Sequence, residues 1–175
     1  MELVWNDTLV QPNHPVLRSK ADIDPFTLDI KWPIKEQDLF KLMHDKIGIG
    51  LASPQLGNPV KMFVMTHSEM GDIGVYNPEI LETSEETILM EEGCLSFPGL
   101  FVSINRPEKI KVKFLRSDGK TEVETWLSGM DSRCFQHEYD HLQGILHVSL
   151  VSDFKLQRAI KKRDKLLRKF QRAMR

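Results

Sequence analysis

His137-Glu138-Tyr139-Asp140-His141 constrains this chain more than any other stretch. The pattern H-E-x-x-H has a mechanical meaning only on a helix. A helix turns about 100° per residue, so residues four apart share one face, one turn above the other. His137 and His141 then close on a single metal ion. Glu138 projects beside them, within reach of a proton on water at that ion. A carboxylate between two imidazoles supplies base and ligands in one turn, which points to metal-assisted hydrolysis.

The 175 residues suit one domain, and a hydrophobic content of 41% supplies a sizeable core. No apolar run approaches the ~20 residues needed to cross a bilayer. The opening Met1-Glu2-Leu3-Val4-Trp5-Asn6-Asp7 has neither a positive segment nor an apolar one, so no signal peptide is expected. The two cysteines, Cys94 and Cys134, are too few for a disulfide scaffold. They fit a reducing, cytoplasmic setting, where a cysteine serves as ligand or as core. The net charge of −1 hides an asymmetry. Residues 154–175 hold ten Lys/Arg against one acid, Asp164, while the remainder holds fourteen basic and twenty-four acidic residues. An acidic body with a basic tail suggests a polyanionic partner for the tail.

No internal repeat or low-complexity linker is present. Leu39, Leu42, Met43 and Ile47 recur at helical spacing and predict a helix over 33–46, ended by Gly48 and Gly50. Residues 60–66 read as a buried strand and 101–105 as a short one. Residues 109–116 alternate, with Ile110, Val112 and Phe114 on one side. Ser117-Asp118-Gly119-Lys120 signals a hairpin turn, and 121–127 returns as the paired strand. Gly129 precedes the metal helix, and Asp153 is the expected cap of a last helix over 154–175. The order predicts an α+β catalytic domain over 1–153 with antiparallel sheet, and a basic helix packed on it or extending from it.

A hydrolytic metal site needs a third protein ligand. Cys134 shares the helical stripe of both histidines but sits seven residues from His141, about 10.5 Å along an ideal helix. It reads better as a buried wall beneath the site. His147 completes H-E-x-x-H-x-x-G-x-x-H, formally the metzincin protease pattern, with Gly144 as the turn. That pattern also asks for a downstream Met-turn, and only Met174 follows, in the basic tail. The plainer reading of His147 is a residue of a strand-like segment after the helix. Cys94, in Glu91-Glu92-Gly93-Cys94-Leu95-Ser96, is the remaining candidate.

Three segments resemble motifs of the peptide deformylases. Gly48-Ile49-Gly50-Leu51-Ala52-Ser53-Pro54-Gln55 resembles their G-x-G-h-A-A-x-Q motif. Glu92-Gly93-Cys94-Leu95-Ser96 matches E-G-C-L-S, and Gln136 to Gly144 matches Q-H-E-x-D-H-L-x-G. They occur in family order, and jointly they are far more specific than any one alone. The resemblance implies a compact fold with antiparallel sheets around a central metal-binding helix. It implies Cys94, His137 and His141 as metal ligands, Glu138 as general base and then acid, and Gln55 with the Leu95 N–H as oxyanion donors. Gly48, Ile49, Gly50, Gly93, Leu95, Arg133, Cys134 and His137 are the implied substrate contacts. The implied cofactor is one divalent ion, ferrous iron first, with zinc, nickel or cobalt able to replace it. Glu92 is implied to act behind the ligands with Ser96 or Arg106. Three positions depart from the family pattern: Ser53, His147 and Phe97, the last expected at the pocket entrance.

The implied reaction is removal of formyl from the N-terminal formylmethionine of nascent polypeptides, by a monomer with no membrane contact. The residues suit that chemistry independently. A carboxylate moves protons, an amide and an N–H meet negative charge on the former carbonyl oxygen, and the glycines let an extended peptide approach. Competing readings are a metzincin-like peptidase and a non-catalytic ribosome- or RNA-binding relative. In the tail, Leu156, Ile160, Leu167 and Phe170 form a partial apolar stripe. The tail either packs on the domain or docks to ribosomal RNA.

Overall fold

Pro33 sits in the first turn of helix α1 (Trp32–Asp45), where a missing N–H leaves no gap in the ladder. The helix ends at Lys46, and Ile47 takes the left-handed conformation (φ 58°) beyond it. The terminator is thus Ile47, in the place glycine usually fills, and not the Gly48 and Gly50 expected from the sequence. The computed structural model describes residues 5–174; Met1–Val4 of the opening stretch and the final Arg175 of the expected tail helix lie outside them.

Strand β1 (Gly50–Ala52) leads through a 3₁₀ turn (Ser53–Leu56) to β2 (Met62–His67) and β3 (Gly71–Thr83). β4 (Thr87–Cys94) and β5 (Phe97–Pro107) form a separate antiparallel pair. β6 (Lys109–Leu115) and β7 (Glu122–Ser128) return to the first sheet, whose order is β1-β2-β3-β6-β7, antiparallel throughout. Helices α2 (Gly129–Leu142) and α3 (Asp153–Ala173) complete the order. The architecture is α+β, as expected. β3 and β4 were not legible in the sequence, and β5 is longer at both ends than the 101–105 segment expected.

β2 is buried on both faces, which is why residues 60–66 read as a continuous apolar run. Met62 and Val64 pack with Trp32, Leu39 and Met43 of α1, while Phe63 and Met65 join the core under α2. There Phe63 meets Phe135 edge-on at 5.1 Å. α2 is therefore the central helix, buried on most sides from Ser132 to Leu142. It stops where Gly144 turns left-handed (φ 72°) against the Arg18 backbone, which leaves no space for a Cβ. The N-cap of α3 is Ser152, whose hydroxyl accepts from Lys155 N–H, and not Asp153. The first half of α3 packs on β5, with Leu156, Ala159, Ile160 and Arg163 half-buried; from Lys165 onward it is exposed. No helix among the described residues is long and apolar enough to cross a membrane.

Candidate metal centre and active site

His137 and His141 face one side of α2 with ring centroids 5.1 Å apart, 9% and 1% exposed. Cys94 ends β4 in a tight hairpin that pairs it with Phe97 across Leu95 and Ser96. The hairpin brings its Sγ within 3.2 Å of His141 Nε2. One ligand atom from each of Cys94, His137 and His141 lies within 4.8 Å of the others, the one such trio among the described residues. A thiol and two imidazoles in a buried pocket are a donor set that suits a divalent first-row transition ion.

The surroundings orient and charge this trio. Glu92 Oε2 accepts from His137 Nδ1 at 2.9 Å, which leaves Nε2 free toward the cluster. Glu92 also accepts from Arg106 at 2.6 and 3.0 Å and from Arg133 at 2.9 Å. Burial opposes its charge, but these donors outweigh burial and hold Glu92 well below the usual carboxylate range. Burial likewise opposes a charged His137, yet hydrogen bonding to Cys94 and Glu92 and the Glu138 charge lift it to about 10. Burial, then the neighbouring His137, pushes His141 far below its ordinary value, so this imidazole stays neutral and able to coordinate.

Glu138 is 4% exposed, and its Oε2 has no hydrogen-bond partner. Burial raises its pKa to about 7, with His137 pulling it back and Glu92 adding to the rise. A carboxyl balanced near neutrality suits proton transfer in both directions. Ala52 N–H donates to Gln55 Oε1 at 2.8 Å. That bond aims the Gln55 Nε2 at Ser96 Oγ (3.2 Å) and Cys94 Sγ (3.5 Å). Gly50 is required by close approach, because a Cβ there would collide with the Glu138 carboxylate and the Cys134 sulfur. Beside this group opens a cavity of about 600 Å³.

A sequence profile of the polypeptide deformylases matches residues 7–157. This chain belongs to the polypeptide deformylase family. It is 44% identical to the peptide deformylase of Thermotoga maritima over 142 residues, covering 81% of this chain and 84% of that one. It is 37% identical to the enzyme of Bradyrhizobium diazoefficiens, covering 98% and 97%. Among solved structures it is similar to the Thermotoga maritima enzyme (TM-score 0.74, 40% identity, 83% of this chain and 97% of that one). It is also similar to the Synechococcus elongatus enzyme in complex with actinonin (TM-score 0.80, 30% identity, 90% and 87%). Deformylases are metal-dependent hydrolases that remove formyl groups from nascent polypeptides, and this chain is an enzyme of that kind.

Against the deformylase motifs, the structure gathers most of the expected residues at one place. Gly48, Ile49, Gly50, Gly93, Leu95, Arg133, Cys134 and His137 all line the cavity, with Cys94 and Glu138. Cys134 is a buried wall: its thiol donates to the Ile49 carbonyl at 3.3 Å. The Arg133 guanidinium is committed to Glu92 and to the Ile104 and Ile88 carbonyls. Asp140 accepts from Arg106 at 2.7 Å and so steadies the residue that steadies Glu92.

Of the alternatives expected for Glu92, Arg106 is its partner, and Ser96 accepts from Gln55. Two expectations need correction. Phe97 is not among the residues that line the cavity; its ring meets His147 edge-on at 5.4 Å. His147 lies outside the ligand trio, against the peptidase alternative, and belongs to a 3₁₀ turn (His147–Leu150) instead of a strand-like segment. It is 2% exposed, and neither ring nitrogen has a hydrogen-bond partner. Leu9, Phe101 and Met130 line the cavity too and were missed, since only the fold brings them there.

Proposed function

We propose that this deformylase binds one divalent ion through Cys94, His137 and His141 and hydrolyses the formyl group of N-formylmethionyl nascent peptides, releasing formate. One convergence carries the reading: a thiol from a hairpin and two imidazoles from a distant helix meet beside Glu138 at a cavity large enough for a peptide's first side chain. Ferrous iron is the native ion in this reading, with zinc, nickel or cobalt able to occupy the same donors. When bound, the ion supplies Lewis acidity, drawing the pKa of a water toward neutrality and polarising the formyl carbonyl.

The residues divide the remaining work. Glu138 takes the proton of the attacking water and later delivers it to the departing amine nitrogen. Gln55 Nε2 and Leu95 N–H meet the negative charge that gathers on the formyl oxygen. Ile49 and Gly50 offer backbone groups to an extended peptide along the outer edge of β1. The walls of Gly93, Arg133, Cys134 and His137 surround the methionine side chain. The enzyme acts as a monomer in the cytoplasm, where its substrates emerge.

The basic helix α3 favours a second element. Its exposed half presents Lys165, Arg168, Lys169 and Arg172 to solvent, a surface that suits ribosomal RNA near the nascent chain. Such docking depends steeply on salt. Ribosome pelleting of the full chain and of a chain ending at Ser152 tests it, and equal association of the two refutes it. Formate release from formyl-Met-Ala-Ser tests the activity, and no release above background refutes the functional reading.

A further inference from the structure

The turn that carries Gln55 (Ser53–Leu56) is laced to a distant stretch of chain, residues 6–10. Val10 N–H donates to the Gln55 carbonyl at 2.9 Å. Asn6 Nδ2 donates to the Leu56 carbonyl at 2.6 Å. On the other side of the turn, Asn58 N–H donates to the Ser53 carbonyl at 3.2 Å, and the Ser53 hydroxyl donates to the Val60 carbonyl at 2.5 Å. Residues 6–10 therefore lie directly on the turn, and within them Leu9 reaches the wall of the cavity.

One buried amide closes the lacing. Asn58 is 1% exposed. Its Oδ1 accepts from Asn6 N–H at 3.0 Å, and its Nδ2 donates to the Asn6 carbonyl at 2.8 Å. A single side chain thus exchanges both bonds with one main-chain residue, as a paired strand does. A buried amide needs its donor and its acceptor answered, and here both answers come from the segment that grips Gln55 and Leu56. The gripped carbonyls belong to Gln55 and its neighbour, so the lacing sets where the Gln55 backbone stands. Gln55 Nε2 reaches Ser96 Oγ at 3.2 Å and Cys94 Sγ at 3.5 Å. A shift of the turn by about 1 Å carries that amide out of hydrogen-bond range.

We propose that Asn58 is a positioning residue for Gln55: through Asn6 it clamps residues 6–10 onto the turn and so holds the Gln55 amide where negative charge develops. The inference rests on the role of Gln55 at the formyl oxygen given above. A donor fixed in advance needs no reorganisation as the charge forms, and misplacing a catalytic group by about 1 Å costs as much as about 10²-fold in rate. Asn58 is not among the residues that line the cavity. Its effect on turnover therefore runs through Gln55.

The test is a double-mutant cycle on kcat of the metal-loaded enzyme with formyl-Met-Ala-Ser, joined to hydrogen exchange of the Val10 amide. Asn58→Ala is expected to lower kcat about tenfold with KM changed less than about twofold. Asn6→Ala, which keeps the main-chain pair with Asn58 and loses the bond to Leu56, lowers kcat about threefold and carries the cycle if Asn58→Ala does not fold. In a Gln55→Glu background the same substitutions lower kcat less than about twofold, because the donor they position is already gone. The Val10 amide, protected by the Gln55 carbonyl, exchanges at least about tenfold faster in Asn58→Ala. An equal fall of kcat in both backgrounds marks general damage to the fold and overturns the proposal. So does a change confined to KM, full kcat in the folded variants, or unaltered exchange at Val10. Absence of formate from the unsubstituted enzyme refutes the deformylase reading itself.

Discussion

Glu92 Oε2 lies 2.9 Å from His137 Nδ1, and the same buried carboxylate answers two guanidiniums, Arg106 and Arg133. One acid thus fixes the tautomer of a ligand imidazole and ties the β4–β5 hairpin to α2. Glu92→Gln leaves two buried cations facing a neutral amide. The expected cost is about 3–5 kcal/mol of stability, with metal affinity reduced about 10- to 100-fold. Urea unfolding and metal titration read the two effects. A variant within about 0.5 kcal/mol of the parent protein would mean that the network does not hold the site together.

Gln55 is aimed by the bond from Ala52 N–H to its Oε1. Gln55→Glu keeps that acceptor and removes the amide donor. Loss of one donor to developing charge is expected to add about 3 kcal/mol to the barrier, a fall of about 10²–10³ in kcat. Steady-state kinetics should show kcat collapsing while KM changes much less. A change confined to KM would place Gln55 in substrate binding and not at the formyl oxygen.

His147 is buried between Phe97 and His137, with neither ring nitrogen in a well-formed hydrogen bond and the Leu100 backbone beside it. His147→Phe exchanges a poorly partnered buried imidazole for an apolar ring, so stability should change by no more than about 1 kcal/mol with metal content unchanged. Thermal unfolding and elemental analysis decide it. Loss of the ion in this variant would revive His147 as a ligand.

Asp118 accepts from Lys120 N–H, Thr121 N–H and the Thr121 hydroxyl in the β6–β7 turn. These bonds, the Thr121 side chain first, draw its pKa down to about 2. A folded pKa below the unfolded value of 3.8 stabilises the protein above pH 4, and the effect fades as pH falls toward 2. The gap in urea midpoint between the protein and Asp118→Ala should therefore narrow from pH 6 to pH 3. A gap that widens in acid contradicts this.

Some of this architecture was legible in the residues alone, for local physical reasons. Ile110, Val112 and Phe114 alternate because β6 has one face on the core, and Asp118-Gly119 closes the hairpin in the left-handed region that glycine permits (φ 66°). α1 and α2 show helical spacing; α1 falls within a residue of expectation at both ends, and α2 starts at Gly129, one residue before the expected start. β3 escaped because Asn77, at φ 47°, and Pro78 interrupt it, and the ladder shifts register between Tyr76 and Glu79. β4 escaped because Ile88 and Leu89 are both exposed, so no alternation marks it.

The site divides the same way. His137, Glu138 and His141 stand one turn apart, so spacing reveals them. Cys94 is forty-three positions before His137, and only motif resemblance suggested it; Phe101 and Ile47 gave no signal before the fold placed them at the cavity. Phe97 misled because position along β5 does not disclose which face a residue takes next to a tight turn.

The central claim is that Cys94, His137 and His141 hold one ion while Glu138 moves protons. Formate release from formyl-Met-Ala-Ser, measured beside elemental analysis on anaerobically purified protein, tests it most directly. The account predicts one ion per chain with turnover in the parent protein, no ion and no turnover in Cys94→Ala, and a retained ion with turnover reduced at least about 10²-fold in Glu138→Ala. A full complement of metal in Cys94→Ala, or undiminished turnover in Glu138→Ala, would contradict it.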